Sequence, residues 1–487
     1  MVPKEHDGSA GAVPVLIRTL QVNNLRKVGI LVVMNTVALV QAFDATCICA
    51  LAKELDASFS ESLSMGSVFL LATAISQPIF AELAHVIGRR PAYIASLTIF
   101  ISGTILCGAA RNSLMLLAGR ARWIFWCTLP FLGGSFVGCI FMLGYDSDQR
   151  NWRLIKDLDW IGILLFAISS VSILLPLTWG GSRFPWKSAQ VLVPIGVSIM
   201  SFVALGAYER VAKKPMFRQS LFRNRSTILQ FINAMIHGII MWMVLYYLAV
   251  FFLGVKGKSP LMTGVWALPA TVTVAPVAAV VGIVAYKTGK YQGFMIGGWG
   301  LLIAILGAMT VLDQDTTTHT TLIIILLLGI AMGLLIPVMS IGVQATVEEG
   351  DVGHAISMIY ALRTMGQCLG IAIGITVFSS QLKTELKSMN QDTDHANAMK
   401  LIKVSIEQGG FGHERMTDAV VMALKHLWAT GSALAGLAFI LGLFARCPKL
   451  PKNPEDRVEQ STGFPATPIG RVCAVLITRD IRSRSQV

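Results

Sequence analysis

The sequence predicts an all-α, polytopic membrane protein, and three observations carry that prediction. Twelve apolar stretches are each long enough to cross a bilayer, because a hydrocarbon core of about 30 Å requires roughly 20 residues of helix. Hydrophobic residues make up 54% of the 487 residues and charged residues only 14%. The mean hydropathy is +0.65. A soluble chain of this length could not bury so much apolar surface.

The twelve predicted spans follow one another along almost the whole chain. They lie near residues 28–50, 64–83, 92–110, 126–144, 159–179, 189–209, 227–253, 262–285, 293–312, 321–340, 355–379 and 427–446. This arrangement predicts five regions. In chain order they are a cytoplasmic amino-terminal segment (1–27), a shortened four-span bundle (28–144), a span pair with a basic loop (145–226), a six-span bundle (227–446) and a cytoplasmic tail (447–487).

The distribution of Lys and Arg predicts that both termini are cytoplasmic, since short cytoplasmic loops retain these residues. In that orientation the cytoplasmic segments carry 25 of the 40 Lys and Arg residues, and the outer segments carry 14. The net charge of +13 therefore reflects membrane topology. We expect no nucleic-acid partner, because no basic helix or aromatic platform lies outside the membrane.

Other protein classes find no support in the sequence. The eight cysteines form neither a disulfide framework nor a zinc pattern, so we expect no metal. No glycine-rich loop is suited to cradle phosphates, and we expect no cofactor and no enzymatic activity. Transport by such a chain would draw on an ion gradient rather than on ATP.

Ionisable and amide groups inside spans are costly and indicate function or internal pairing. Asp44 and Thr46 lie in the outer part of the first span, and His237 lies near the middle of the seventh. Gln230, Asn233 and His237 are spaced i, i+3 and i+7, so they share one helix face. They either line a cavity or form a polar seam between helices.

The eleventh predicted span combines a cation with a row of small residues. Arg363 and Gln367 are one turn apart. Arg363 is either a structural partner for a carbonyl or an acid, or a cation that faces the substrate path. Gly366, Gly370 and Gly374 form a stripe that allows close approach of another helix, and we interpret it as packing. The same spacing occurs once each at Gly134/Gly138 and Gly329/Gly333.

Aromatic residues lie toward the outer half of the seventh span. Trp242, Tyr246 and Tyr247 could stack on a flat organic substrate or anchor the helix at the membrane interface. The sequence leaves both interpretations open.

The run A-E-L-A-H-V-I-G-R-R at residues 81–90 resembles the signature between spans two and three of the major facilitator superfamily, G-x-L-A-D-R-x-G-R-[KR]. Gly88, Arg89 and Arg90 match, and the resemblance implies that they form the gating loop. His85 stands where the family has an acid, and Val86 stands where it has the first Arg. This departure affects the charge relay that locks the family's inner gate.

Further motifs are similar to those of the fourteen-span drug:proton antiporters of filamentous fungi. F-D-A-T at 43–46 resembles their first-span L-D-x-T, and R-W-I-F at 122–125 resembles the start of their sixth span. D-W-I-G at 159–162 resembles the start of their seventh span, and R-T-M-G at 363–366 resembles part of their thirteenth. The resemblance covers about residues 28–446.

One part of that pattern has no counterpart. Directly after L-A-G-R at 117–120, where the family enters its fourth span, this chain continues with the R-W-I-F of span six. Two spans are therefore expected to be missing, although the later helices keep their orientation. The rival interpretation is a native twelve-span carrier with six plus six helices and the basic loop 210–226 as its linker.

We therefore expect proton-coupled export of a small organic molecule, such as a secondary metabolite, toxin or drug, by alternating access. The alternative is a membrane protein that does not transport, because two core spans are missing. The expected partners are the substrate, the proton and the lipid bilayer, and the protein is expected to be a monomer. The plasma membrane is the expected location, with vacuolar or vesicular membranes as alternatives.

Overall fold

The computed structural model describes residues 59–109, 122–142, 159–180, 184–212, 215, 217–388 and 414–445. The regular elements of these residues are helices, which confirms the predicted all-α class. Eleven of the twelve predicted spans coincide with helices. The first predicted span, 28–50, lies outside the described residues, as do the terminal segments 1–27 and 447–487.

The first of two compact units comprises residues 1–179 and 183–216. Its described part contains five helices: α1 (Phe59–Ile87), α2 (Arg89–Ala109), α3 (Arg122–Met142), α4 (Trp160–Trp179) and α5 (Ala189–Tyr208). Helix α1 packs against α2 and α4, α2 packs against α3, and α4 packs against α5. A bond from Ser198 Oγ to the carbonyl oxygen of Ser169, 2.7 Å long, joins α4 to α5.

The second unit comprises residues 180–182 and 217–487. Its described α-helices are α6 (Ser220–Arg223), α7 (Arg225–Val250), α8 (Pro260–Thr288), α9 (Gln292–Met309), α10 (Thr318–Thr346), α11 (Val352–Ser388) and α12 (Glu414–Phe444). The most extensive contacts are between α7 and α11 and between α8 and α10. Helix α12 packs against α7, α9 and α11. The predicted domain boundaries remain predictions.

Eight described helical segments are long and apolar enough to cross a membrane by length and composition. All eight contain a predicted span in full or nearly so, and the longest helix, α11, extends well beyond its predicted 355–379. Two shorter apolar stretches, Leu70–Ala84 and Thr128–Phe141, lie within α1 and α3. Helices of this length and apolar composition are those of a polytopic membrane protein.

The α8–α10 pair depends on two glycines. A Cβ atom built on Gly329 would overlap the carbonyl oxygen of Ala270, and one built on Gly333 would lie 2.8 Å from the carbonyl oxygen of Val274. The predicted packing role of Gly329 and Gly333 is confirmed. At Gly134 a Cβ atom would meet nothing within 4 Å in the described part of the chain, and the packing role of the Gly134/Gly138 pair stays a prediction.

Helix α7 ends in an unusual way. Its last α-helical residue is Val250, and the chain continues in a π-helical turn, Phe251–Val255. Directly after this turn, Lys256 Nζ donates hydrogen bonds to the carbonyl oxygens of Gln314 at 2.9 Å and Thr316 at 2.7 Å. The end of α7 is thereby tied to the connection between α9 and α10.

Candidate functional site

The contact between α7 and α11 positions the candidate site. A Cβ atom built on Gly366 would overlap the carbonyl oxygen of Met235, and one on Gly370 would overlap that of Ile239. The two helices therefore touch backbone to backbone, as small residues permit in a membrane. The predicted packing role of the stripe Gly366, Gly370 and Gly374 is confirmed, since a Cβ atom on Gly374 would meet the ring of Tyr247.

The polar face of α7 is buried. The exposed fractions of Gln230, Asn233 and His237 are 1%, 0% and 0%. Gln230 Nε2 donates to the sulfur of Met295 at 3.4 Å, and His237 Nε2 lies 3.4 Å from the carbonyl oxygen of Met332. These contacts direct the face toward α9 and α10.

Several polar atoms on this face lack a partner among the residues that the structure describes. Within the described residues, both amide atoms of Asn233, the Oε1 atom of Gln230 and the Nδ1 atom of His237 make no hydrogen bond. The imidazole ring of His237 instead lies edge-on to Trp299, with 6.3 Å between ring centroids. Buried polar groups are rarely left in this state, because the loss of water is then uncompensated. Such a face is suited to bind a small polar molecule.

Arg363 and Gln367 lie on the α11 side of the same contact. The carbonyl oxygen of Arg363 lies against Gly238, and Gln367 is buried there. The guanidinium of Arg363 lies 5.0 Å from the ring centroid of Tyr360 and is within electrostatic range of His237. Two separately predicted coupling residues, His237 and Arg363, are thus neighbours, and Arg363 makes a cation–π contact.

The aromatic residues of α7 are buried. The rings of Trp242 and Tyr246 lie 5.3 Å apart, and Tyr247 packs on Phe378 at 5.0 Å. All three α7 aromatics are at most 7% exposed. Burial does not fit an interfacial anchor, which needs one wet end. Stacking of Trp242 and Tyr246 on a substrate stays a prediction.

The Gly88-Arg89-Arg90 motif forms the turn between α1 and α2. Gly88 has a φ of 92°, in the region that favours glycine. Arg90 donates from Nη2 to the carbonyl oxygen of Ile140 at 2.8 Å, near the carboxyl end of α3, where helix carbonyls lack intrahelical partners. Arg89 begins α2. The motif therefore joins three helices of the first unit.

Two predicted coupling residues lie outside the described residues. Asp44 and Thr46 belong to the first predicted span, of which the structure describes nothing. Their role stays a prediction. In the described part of the chain, no group of three or more His, Cys, Asp or Glu residues could hold a metal ion.

A polar cluster at the amino-terminal end of α7 was not predicted from the sequence. Arg218 pairs with Asp351 at 2.7 Å, and Ser220 Oγ donates to the other oxygen of the same carboxylate. Burial alone would raise the pKa of Asp351, but the bonds from Ser220 and Arg218 hold that pKa below its ordinary value. Asp351 lies in a short loop with Glu348 and Glu349, and the combination of this acidic loop with the basic loop 210–226 was the available signal.

The sequence of this chain is clearly related to a known protein family. A family model described as the Major Facilitator Superfamily matches residues 30–374. The chain belongs to the major facilitator superfamily. The match covers most of the chain, so the chain is a transmembrane transporter with several membrane spans, and the resemblance stated above is confirmed.

The relatives are fungal transporters, and this chain aligns with about four-fifths of each. "MFS transporter L2" of Phoma sp. is 31% identical, over 84% of this chain and 80% of its own length. "Efflux pump FUS6" of Gibberella moniliformis is 27% identical, over 80% and 82%. The "Acurin A biosynthesis cluster MFS-type transporter" of Aspergillus aculeatus is 26% identical, over 79% and 82%. These matches favour a transporter over the alternative that does not transport.

A solved structure shares the fold. It is a bacterial homologue of the human lysosomal transporter Spinster, in an inward-facing and occupied conformation. The TM-score is 0.50 at 13% identity, over 86% of this chain and 96% of the other. At that identity the likeness concerns architecture alone.

Proposed function

We propose that this transporter exports a small organic molecule, of the secondary-metabolite, toxin or drug type, in exchange for protons. The observation that carries the proposal is the buried polar face of α7, where His237 lies beside Arg363 in a membrane-spanning bundle. Ionisable groups at such depth are expensive and mark ion or substrate pathways. The names of two relatives, an efflux pump and a transporter of a biosynthesis cluster, support export as the direction.

The residues take three roles in this proposal. Asp44, Thr46, His237, Arg363 and Gln367 couple transport to protons. Gly88, Arg89 and Arg90 form a gating loop, for which the Arg90 bond to the end of α3 is the supporting contact. Substrate contacts are assigned to Gln230, Asn233, Trp242 and Tyr246.

The membrane setting completes the proposal. Both termini are cytoplasmic, and the protein works as a monomer in the plasma membrane. The excess of Lys and Arg in the segments assigned to the cytoplasm supports this orientation.

The absence of two spans after Arg120 remains part of the proposal. The alignment with the Phoma relative extends over 477 positions but covers 84% of this chain, so that relative carries residues that this chain lacks. Because Arg120 lies outside the described residues, the length of the amino-terminal bundle is best tested by placing single cysteines in the loops and labelling them from either side.

Transport in reconstituted vesicles with an imposed pH gradient tests the function. A panel of fungal metabolites and drugs is offered, and accumulation is compared with and without the gradient. We expect uptake of one or more compounds into acidic-inside vesicles, and its loss in Asp44→Asn, which removes a charge but keeps the size. Transport at the same rate with and without the pH gradient would contradict proton coupling. An Asp44→Asn variant as active as the wild type would show that Asp44 has no role in coupling.

A further inference from the structure

Four polar residues on one face of α7 form a continuous column. Thr227, Gln230, Asn233 and His237 are spaced by three or four residues, and each is at most 1% exposed. At 1.5 Å per residue the column is about 15 Å long. It begins one turn beyond the exposed cap residue Asn224, whose side chain accepts from the backbone N–H of Ser226.

The entrance of the column is paired and its deeper part is not. Thr227 Oγ1 donates to Thr346 Oγ1 at 2.8 Å, which joins α7 to the end of α10. Beyond this bond, the amide of Asn233, the Oε1 atom of Gln230 and the Nδ1 atom of His237 lack partners in the described part of the chain. Such groups are normally satisfied by ordered water when no protein atom is available.

Gly442 of α12 faces the amide of Asn233. A Cβ atom built on Gly442 would lie 3.7 Å from Asn233 Nδ2, 3.6 Å from Met295 Cε and 3.8 Å from Trp299 Cδ1. These are ordinary van der Waals distances, so a methyl group on Gly442 would touch the amide without displacing its neighbours. A small substitution at Gly442 therefore probes the surroundings of Asn233.

We propose that the Thr227–Gln230–Asn233–His237 column is a water-filled path that carries water and protons from the amino-terminal end of α7 to His237, inside the helical bundle. Arg363 on α11 is the charged residue that interacts electrostatically with the buried end of the column. The hydration of the column is independent of the proposed export function, whereas its role in coupling rests on that function.

Exchange of the C2 hydrogen of histidine with D₂O tests the hydration. In this reaction hydroxide removes the C2 proton from the protonated ring, so it needs water at the imidazole, and mass spectrometry of the full chain in detergent or lipid reads it residue by residue. The exposed residues His319 and His426 are internal references. We expect measurable exchange at His237, slower than at the exposed His319. No exchange at His237 while His319 exchanges fully would mean a dry polar seam and would overturn the proposal.

Two variants locate the water path. Gly442→Ala places a methyl group against the amide of Asn233, and Thr227→Val removes the polar entrance at nearly constant size. Each is expected to slow exchange at His237 by roughly tenfold without changing it at His319. Gly436→Ala on the same helix, where a Cβ atom meets nothing within 4 Å in the described structure, is the matched control. Unchanged exchange at His237 in both variants would place the water elsewhere.

Coupling is tested separately. Under an imposed pH gradient, Thr227→Val should lower export, while substrate exchange without a gradient stays at the wild-type level. Unaltered gradient-driven export in this variant would reject the coupling role. If the wild type exports nothing, the proposed function fails, and the D₂O measurement still decides whether the column is hydrated.

Discussion

The carbonyl oxygen of Arg363 occupies the space that a side chain on Gly238 would need. This contact lies one residue from His237, so the closest approach of α7 and α11 and the polar face of α7 occur at the same level of the bundle. Close packing and site geometry are therefore linked. A change that separates the two helices must also alter the surroundings of His237.

Gly238→Ala is expected to destabilise the protein. The added methyl group would overlap backbone atoms of α11, which cannot move aside by a rotamer change, and overpacking of this kind costs about 1–3 kcal/mol. Thermal unfolding in detergent is the measurement. Gly307→Ala on α9, where a Cβ atom meets nothing within 4 Å in the described residues, is the control and should be neutral or slightly stabilising. Equal melting temperatures for the two variants would disprove the backbone contact.

Gly88→Ala is expected to impair the turn between α1 and α2. At a φ of 92° a Cβ atom is strained, with a cost of about 1–2 kcal/mol. Gly88→Asn should be milder, because Asn tolerates positive φ better than Ala does. Thermal stability and export are measured for both variants. A Gly88→Ala protein as stable as the wild type would show that the turn relaxes.

Asp351→Asn should weaken the cluster at the amino-terminal end of α7 by about 1 kcal/mol, a modest value because Arg218 is 44% exposed. Glu348→Gln, an exposed acid in the same connection, is the control and should have little effect. The quantity compared is the melting temperature at neutral pH.

The pH dependence of this cluster has a definite sign. The pKa of Asp351 is lower in the folded protein than its ordinary value of about 3.9. The carboxylate therefore stabilises the folded state fully above that ordinary value, and the contribution is lost as the pH falls through the depressed pKa. The difference in stability between the wild type and Asp351→Asn should thus be constant near neutrality and shrink only in strong acid. A difference that disappears already between pH 7 and pH 5 would contradict this.

Arg363→Lys should be poorly tolerated despite the retained charge. The planar guanidinium stacks on Tyr360, and an ammonium cannot reproduce that geometry. The loss of such a contact costs about 0.5–2 kcal/mol. Export and thermal stability are compared with those of Arg225→Lys, at the exposed start of α7, which should behave as the wild type does. Full activity of Arg363→Lys would mean that charge alone matters.

The helices could be predicted from the sequence because hydropathy marks the part of each helix that lies in hydrocarbon. The ends could not. Helix α10 runs from Thr318 to Thr346, whereas the apolar run predicted only 321–340. The backbone continues its hydrogen bonds into polar flanks that carry no hydropathy signal.

The candidate site was predictable only in part. A period of 3.6 residues placed Gln230, Asn233 and His237 on one face, but periodicity does not say which helices a face will meet. The pairing of Arg218 with Asp351 joins residues 133 positions apart, and no local pattern reports such a contact. Tertiary packing decides which helices a polar face meets and which distant residues pair.

In the π-helical turn Phe251–Val255, the number of residues determines the direction in which Lys256 points. A π turn holds one more residue than an α turn, so it rotates everything beyond it by about 100° relative to a regular helix. Directly beyond it, Lys256 reaches the carbonyl oxygens of Gln314 and Thr316. Deletion of one residue within 251–255 would let the turn close as an α turn with Lys256 still directed at both acceptors, whereas an α-helix of unchanged length would turn Lys256 away from them.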